Sequence, residues 1–333
     1  MNQMLILRTF LKKQWFLLGM IAAVLLATAF PQAGCHDGFL HANDLANIGI
    51  SLVFFFHGIT LSVENLKNGL LSWRVHLVVQ LMTFVVFPLM MLPFCAVVGT
   101  LFPAGLILGF YFLGALPSTI SSSVAMVAIA RGNVPAAIFN ASFSNLIGIF
   151  VTPLLLSIFA TTTGETLPLG ETVLYLFLLL FFPFALGQAA RIFFKKHVPA
   201  IKPFINLFDS AVILLIVFSS FSDAVESGLW REHGWIVLLE TFAGAAVVLA
   251  LALAISSVAA RLLHFKVEDA ITTVFCGSKK TLASGIPIAK IVFGSAALAG
   301  DINLGLLVLP IMFYHQLQIF VCSFLANRYA KRP

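Results

Sequence analysis

Long oily stretches separated by short polar gaps run the length of the chain. A helix rises 1.5 Å per residue and needs about 20 apolar residues to cross a bilayer. The pattern therefore predicts ten transmembrane helices, over 15–30, 45–62, 75–99, 104–130, 134–160, 168–193, 204–224, 235–262, 269–293 and 302–326. The first stretch follows Arg8, Lys12 and Lys13 and so resembles the basic and apolar regions of a signal peptide. No small-x-small cleavage site stands out before Pro31, and an even number of crossings needs this segment, so it is read as a retained first helix.

Charge in the gaps adds orientation. Fifteen of the nineteen Lys and Arg residues fall in six clusters: Arg8 to Lys13, Lys67 with Arg74, Arg131, Arg191 to Lys202, Arg261 with Lys266, and Arg328 to Arg332. Between them lie acidic or neutral gaps at 36–44, 101–103, 161–171, 223–232 and 294–301. Positive residues near span ends stay cytoplasmic, so this alternation predicts both termini inside.

Composition points the same way. The chain is 60% apolar and 10% charged, with a mean hydropathy of +1.05, against roughly 45–50% and about 25% for a soluble domain. Cytoplasmic loops account for the net charge of +6, which excludes a nucleic-acid reading. Cys35, Cys95, Cys276 and Cys322 have neither CxxC nor His spacing, so neither a metal site nor a disulfide is expected. HExxH, GxSxG and paired intramembrane aspartates are absent from the sequence, so no enzyme is expected.

Divided at the gap 161–171, the chain gives a first five-helix repeat, 1–161, and a second, 162–333. An odd number of spans per half makes the second half enter from the opposite side, an inverted repeat of the kind common in secondary transporters. In the fourth span of each half the apolar run is broken. The first break reads Gly114, Ala115, Leu116, Pro117, Ser118, Thr119, Ile120, Ser121, Ser122, Ser123. The second reads Cys276, Gly277, Ser278, Lys279, Lys280, Thr281, Leu282, Ala283, Ser284, Gly285, Ile286, Pro287. Paired interruptions point to discontinuous helices whose unwound backbone and half-helix ends bind substrate and ions. The bland alternative is hydroxyls bonding to the preceding turn, with Pro117 a simple kink.

Lys279 and Lys280 sharpen the choice. A lysine at mid-bilayer costs roughly 2.5–3.5 kcal/mol on insertion scales, and such charges mark transport paths. Adjacent side chains on a helix diverge by about 100°, so both snorkel along one face only if the chain is unwound or close to an interface. The sequence has no carboxylate between Asp269 and Asp301 to neutralise them. A cationic pocket favours an anionic substrate.

The stretch ALPSTISSSVAMVAIARGNVPAAIFNASFSNLIGIFVTPLL after Gly114, together with FCGSKKTLASGIPIAKIVF from Phe275 to Phe293, resembles the bile acid:sodium symporter family (solute carrier family 10-like). The likeness is to the branch containing its seventh vertebrate member. The resemblance implies an all-α polytopic protein of ten helices in two inverted repeats. Spans 3–5 and 8–10 would form a core, spans 1, 2, 6 and 7 a panel, and spans 4 and 9 would be the broken, crossing helices. It implies a secondary transporter moving a small organic anion by alternating access, with no cofactor and with sodium as the co-transported ion. Carried over residue by residue, it implies substrate or ion contacts at Gln80, Ser121, Ser122, Ser123, Asn140, Ser142, Ser144, Asn145 and His315, to which the two breaks themselves add Pro117, Ser118, Thr119, Ser278, Lys279, Lys280, Thr281 and Ser284. Gln80, Ser122, Ser123 and Ser144 are the implied sodium ligands, by oxygen atoms that suit a hard cation.

One departure bears on coupling. Where the family offers a Glu and a Gln to sodium, this chain has Lys279 or Lys280. Either a sodium site is lost or an ammonium stands in for the ion, so the alternatives are a sodium-independent or proton-linked carrier, or a regulatory membrane protein on the same fold. Asp209 and Glu240 read as interfacial, while Asn43, Asn47, His57 and Thr60 either line the panel side of the cleft or pack helices. Gly148 and Pro153 suit close packing and a kink. Short loops without an added domain suggest a bacterial inner membrane.

Overall fold

The computed structural model describes residues 15–35, 38–61, 71–162, 177–226, 228, 234–298 and 302–332. The predicted gap 161–171, the start of the sixth predicted span and the cluster at Arg8 lie wholly or largely outside the described residues; of the predicted gap 294–301, residues 294–298 are helical and 299–301 lie outside.

Every regular element among the described residues is helical. Helices α1 (Trp15–Ala29), a short α2 (Pro31–Gly34) and α3 (Ala42–Thr60) open the chain. Helix α4 runs Trp73–Val98 and is followed by α5 (Ala104–Ala115), α6 (Ser121–Ile129) and α7 (Val134–Thr162). Then come α8 (Phe182–Phe194), α9 (Val198–Glu226), α10 (Ile236–Leu262), α11 (Val267–Gly277), α12 (Gly285–Leu298) and α13 (Leu304–Ala330). Five of these, α4, α7, α9, α10 and α13, are each long and apolar enough to span a bilayer.

Two helices widen where the sequence removes a donor. A π turn at Met82–Val86 lies just before Pro88 in α4, and another at Phe177–Phe181 lies just before Pro183 at the start of α8. Proline has no N–H for the carbonyl four residues back, and the turn it releases takes the looser spacing.

Packing divides the helices into two groups. Helix α3 lies along α8 and α9, and α1 lies along α9. In the other group α13 packs on α5, α10 and α12, while α11 packs on α4, α6, α7 and α10. Helix α9 also touches α12 and α13, joining the groups. The α3–α8 contact depends on glycine. A Cβ on Gly187 would lie 2.0 Å from the Phe55 carbonyl oxygen, and one on Gly58 would lie 2.2 Å from that of Phe184. With no hydrophobic force between helices in lipid, such backbone approach supplies much of the contact.

His57 and Asp209, distant in sequence, are partners here: His57 Nε2 lies 2.9 Å from Asp209 Oδ2, linking α3 to α9. His57 is therefore a helix-packing contact, and the Asp209 side chain is mostly buried against it.

Candidate functional site

Both interrupted segments are real breaks. Helix α5 ends at Ala115, residues 116–120 are unwound, and α6 restarts at Ser121; α11 ends at Gly277, 278–284 are irregular, and α12 restarts at Gly285. Pro117 supplies no N–H and biases Leu116 to an extended ψ of 152°, which stops α5. The second break has no internal proline; Gly277 and the Ser278 hydroxyl, which donates to the Val274 carbonyl at 2.6 Å, mark its start.

The breaks touch through their main chains. Thr281 N–H donates to the Pro117 carbonyl at 2.9 Å, and Ser118 Oγ donates to the Cys276 carbonyl at 2.7 Å. Helix α7 braces the junction. Ser144 Oγ accepts from the Ser118 N–H at 2.9 Å, Asn145 Nδ2 donates to the Ser118 carbonyl at 2.7 Å, and Asn145 Oδ1 accepts from Ser284 Oγ at 3.1 Å. Unwound segments leave backbone groups without helical partners, and in a low-dielectric interior each must find another. The side chains of Ser118, Ser144 and Asn145 supply them, and Ser284 holds the Asn145 amide in place.

The two lysines take different surroundings, though both are fully buried. Lys280 Nζ donates to the carbonyls of Thr83 at 2.8 Å, Gly114 at 2.7 Å and Leu116 at 2.7 Å, and it stands 4.2 Å from the Phe87 ring centre. Gly114 and Leu116 lie at the C-terminal end of α5, where carbonyls lack helical donors and the dipole is negative; Thr83 belongs to the π turn of α4. Three acceptors require three N–H donors, which the ammonium form has. Lys279 Nζ makes one hydrogen bond, to the Ser122 carbonyl at 2.9 Å, and stands 5.7 Å from the Phe275 ring centre.

Lys279 thus meets α6 close to its start. The first turn of α6 carries no acidic residue, and its N–H groups carry about half a positive charge. Beside it Thr119 Oγ1 bonds Ser122 Oγ at 2.7 Å and Ser123 Oγ at 2.8 Å. Ammonium, hydroxyls and a helix start together form a setting for an anionic group.

The implied sodium ligands fall into three separate groups. Ser122 and Ser123 meet at Thr119, Ser144 is bonded to Ser118, and Gln80 donates to the carbonyl and the Oδ1 of Asn140, both at 3.3 Å. Gln80 Oε1 is buried without a hydrogen-bond partner. Ser121 is exposed, while Ser142 is buried on α7. His315 Nδ1 accepts from Gln318 Nε2 at 3.0 Å.

Two residues of α13 were not singled out in the sequence. Gln318 accepts the Lys280 N–H through Oε1 at 2.9 Å and donates Nε2 to the Lys280 carbonyl at 2.8 Å. Tyr314 donates its hydroxyl to the Ser278 carbonyl at 2.6 Å. The sequence signal was a polar cluster, Tyr314, His315, Gln316 and Gln318, midway along an otherwise largely apolar helix.

The SBF-like CPA transporter family profile matches residues 14–331. An uncharacterized protein of Pseudomonas aeruginosa is 44% identical over 317 residues, covering 95% of this chain and 93% of its own. An Escherichia coli protein named "Putative symporter YfeH" is 40% identical with the same coverage. Sodium/bile acid cotransporter 7 of Mus musculus is 30% identical, covering 94% of this chain and 92% of its own. The family match extends over both breaks and all the helices described, and the chain belongs to the SBF-like CPA transporter family, as a multi-pass membrane transporter and not an enzyme.

Proposed function

We propose that the protein is a secondary active transporter of a small organic anion, working by alternating access. The observation carrying this reading is the direct bonding of two helix breaks beside a buried ammonium with spare donors. Lys279 uses one of its three N–H groups on Ser122, and the remaining two, with the N–H groups opening α6, suit a carboxylate or sulfonate. The name sodium/bile acid cotransporter 7, borne by relatives of 30–32% identity, supports the anion class.

In this reading ten helices form two inverted repeats, 1–161 and 162–333. The group α1, α3, α8 and α9 is the panel, and the group α4–α7 with α10–α13 is the core. Anion binding between them is followed by rocking of one against the other. Both termini are cytoplasmic, in a bacterial inner membrane, as the alternation of basic gaps supports.

Counterflow in proteoliposomes tests it. Vesicles preloaded with an unlabelled bile acid or a smaller organic anion are expected to accumulate the labelled anion transiently and saturably. Lys279→Ala is expected to lower the rate at least about tenfold, the loss of one charge-assisted contact of about 1.5–3 kcal/mol. Flux without saturation or counterflow would favour a channel, and binding without any flux would favour a regulatory protein on this fold.

A further inference from the structure

We propose that Lys280 is a resident cation of the carrier: its ammonium occupies a carbonyl cage at the helix crossing that would otherwise hold a free monovalent ion, so that this cage takes no sodium.

Three features of the cage lead there, the first two sharing the carbonyl end of α5. Its walls are main-chain oxygens of Thr83, Gly114 and Leu116 at 2.7–2.8 Å, the donor type that replaces the hydration shell of an alkali ion in a protein interior. Its floor is the negative end of α5 together with the face of Phe87 at 4.2 Å, and both favour a positive charge of any origin. Its position is the junction of the two breaks, one residue from the Thr281 to Pro117 main-chain bond.

The cage is also built to hold this lysine. The Lys280 backbone is gripped on both sides by Gln318, so its side chain leaves a fixed point, and all three N–H donors are used. Lys279, one residue earlier, has a single acceptor. The neighbouring lysines therefore divide the work: Lys280 supplies the structural charge, and Lys279 is left to meet a substrate.

A tethered ammonium cannot leave its site for either side of the membrane as a free alkali ion does. An ion delivered from one side of the membrane contributes its gradient when it leaves on the other, whereas Lys280 stays with α4, α5 and the second break throughout. The inference rests on the carrier reading for its consequence in transport, and on the cage alone for its consequence in binding.

The test separates the two. Melting of detergent-purified protein is compared in sodium chloride and choline chloride for the wild type, Lys280→Ala and Lys280→Met. Lys280→Ala opens the cage, and it is expected to gain a saturable sodium-dependent rise in melting temperature of at least about 2 °C, since a ligand that binds only the folded state stabilises it. The wild type lacks that increment, as does Lys280→Met, whose side chain fills the space without charge. Equal sodium responses in the wild type and Lys280→Ala, or none in Lys280→Ala, would overturn the proposal. If Lys280→Ala does not accumulate, wild-type anion counterflow with choline in place of sodium on both sides decides: retained turnover is expected, and its loss overturns the inference. Absence of counterflow in every salt would instead defeat the carrier reading, and a saturable sodium-dependent rise in the melting temperature of Lys280→Met or of the wild type would then overturn the cage.

Discussion

Gln318 grips the main chain of Lys280 on both sides, taking its N–H at 2.9 Å and giving an N–H to its carbonyl at 2.8 Å. A single amide side chain of α13 thereby replaces the two helical hydrogen bonds that Lys280 lacks in the unwound segment. Gln318→Leu leaves both groups buried without partners, at about 1–3 kcal/mol each. A fall of several degrees in the melting temperature of purified protein is expected, while Gln316→Leu, two residues away, serves as the control.

Gly148 allows α7 to reach the first break. A Cβ there would sit 2.8 Å from Pro117 Cβ and Cγ. Gly148→Ala should push the break off its brace at a cost of about 1–3 kcal/mol, the range for overpacking. Because Ser144 and Asn145 lie on the same helix, transport is expected to fall more than stability does, read as counterflow rate beside melting temperature.

Gly58 and Gly187 bring α3 and α8 into backbone contact. Gly187→Leu is expected to separate the two helices and lower stability strongly. The single changes Gly58→Ala and Gly187→Ala should each destabilise, and the double change by less than their sum, because residues in contact are not additive. Melting curves of the three variants check this.

The His57 and Asp209 pair is expected to show energetic coupling. In a double-mutant cycle of His57→Ala and Asp209→Asn, an interaction of about 0.5–3 kcal/mol is expected. The side chains are 23% and 15% exposed, so water screens part of the attraction. A coupling within measurement error would mean that the contact contributes nothing net.

Much of the site was legible because helix breaks have a local cause. Pro117 with its run of hydroxyls, and Gly277 with Ser278, interrupt apolar stretches in ways that any reading of propensity registers. The paired lysines stood out because charge is costly in lipid. What stayed hidden depends on tertiary contacts. Nothing in the sequence separates Lys280 from Lys279; the difference is which one faces the carbonyl end of α5. Gln318, one of several polar residues midway along α13, looks like an ordinary packing residue until its amide is seen spanning one residue's backbone. His57 and Asp209 are 152 positions apart, beyond the reach of periodicity. Pro88 accounts for the π turn in α4 only once the fold is seen, and the use of the Thr83 carbonyl as a wall of the lysine cage needed the folded neighbours.

The bond from Thr281 N–H to the Pro117 carbonyl joins peptide to peptide, and position 281 can contribute it with any residue except proline. Evolution can therefore exchange the side chain at 281 to suit a new cargo without breaking this main-chain tie between the two breaks. A scaffold fastened in this way lends itself to a lineage whose members diverge in what they carry.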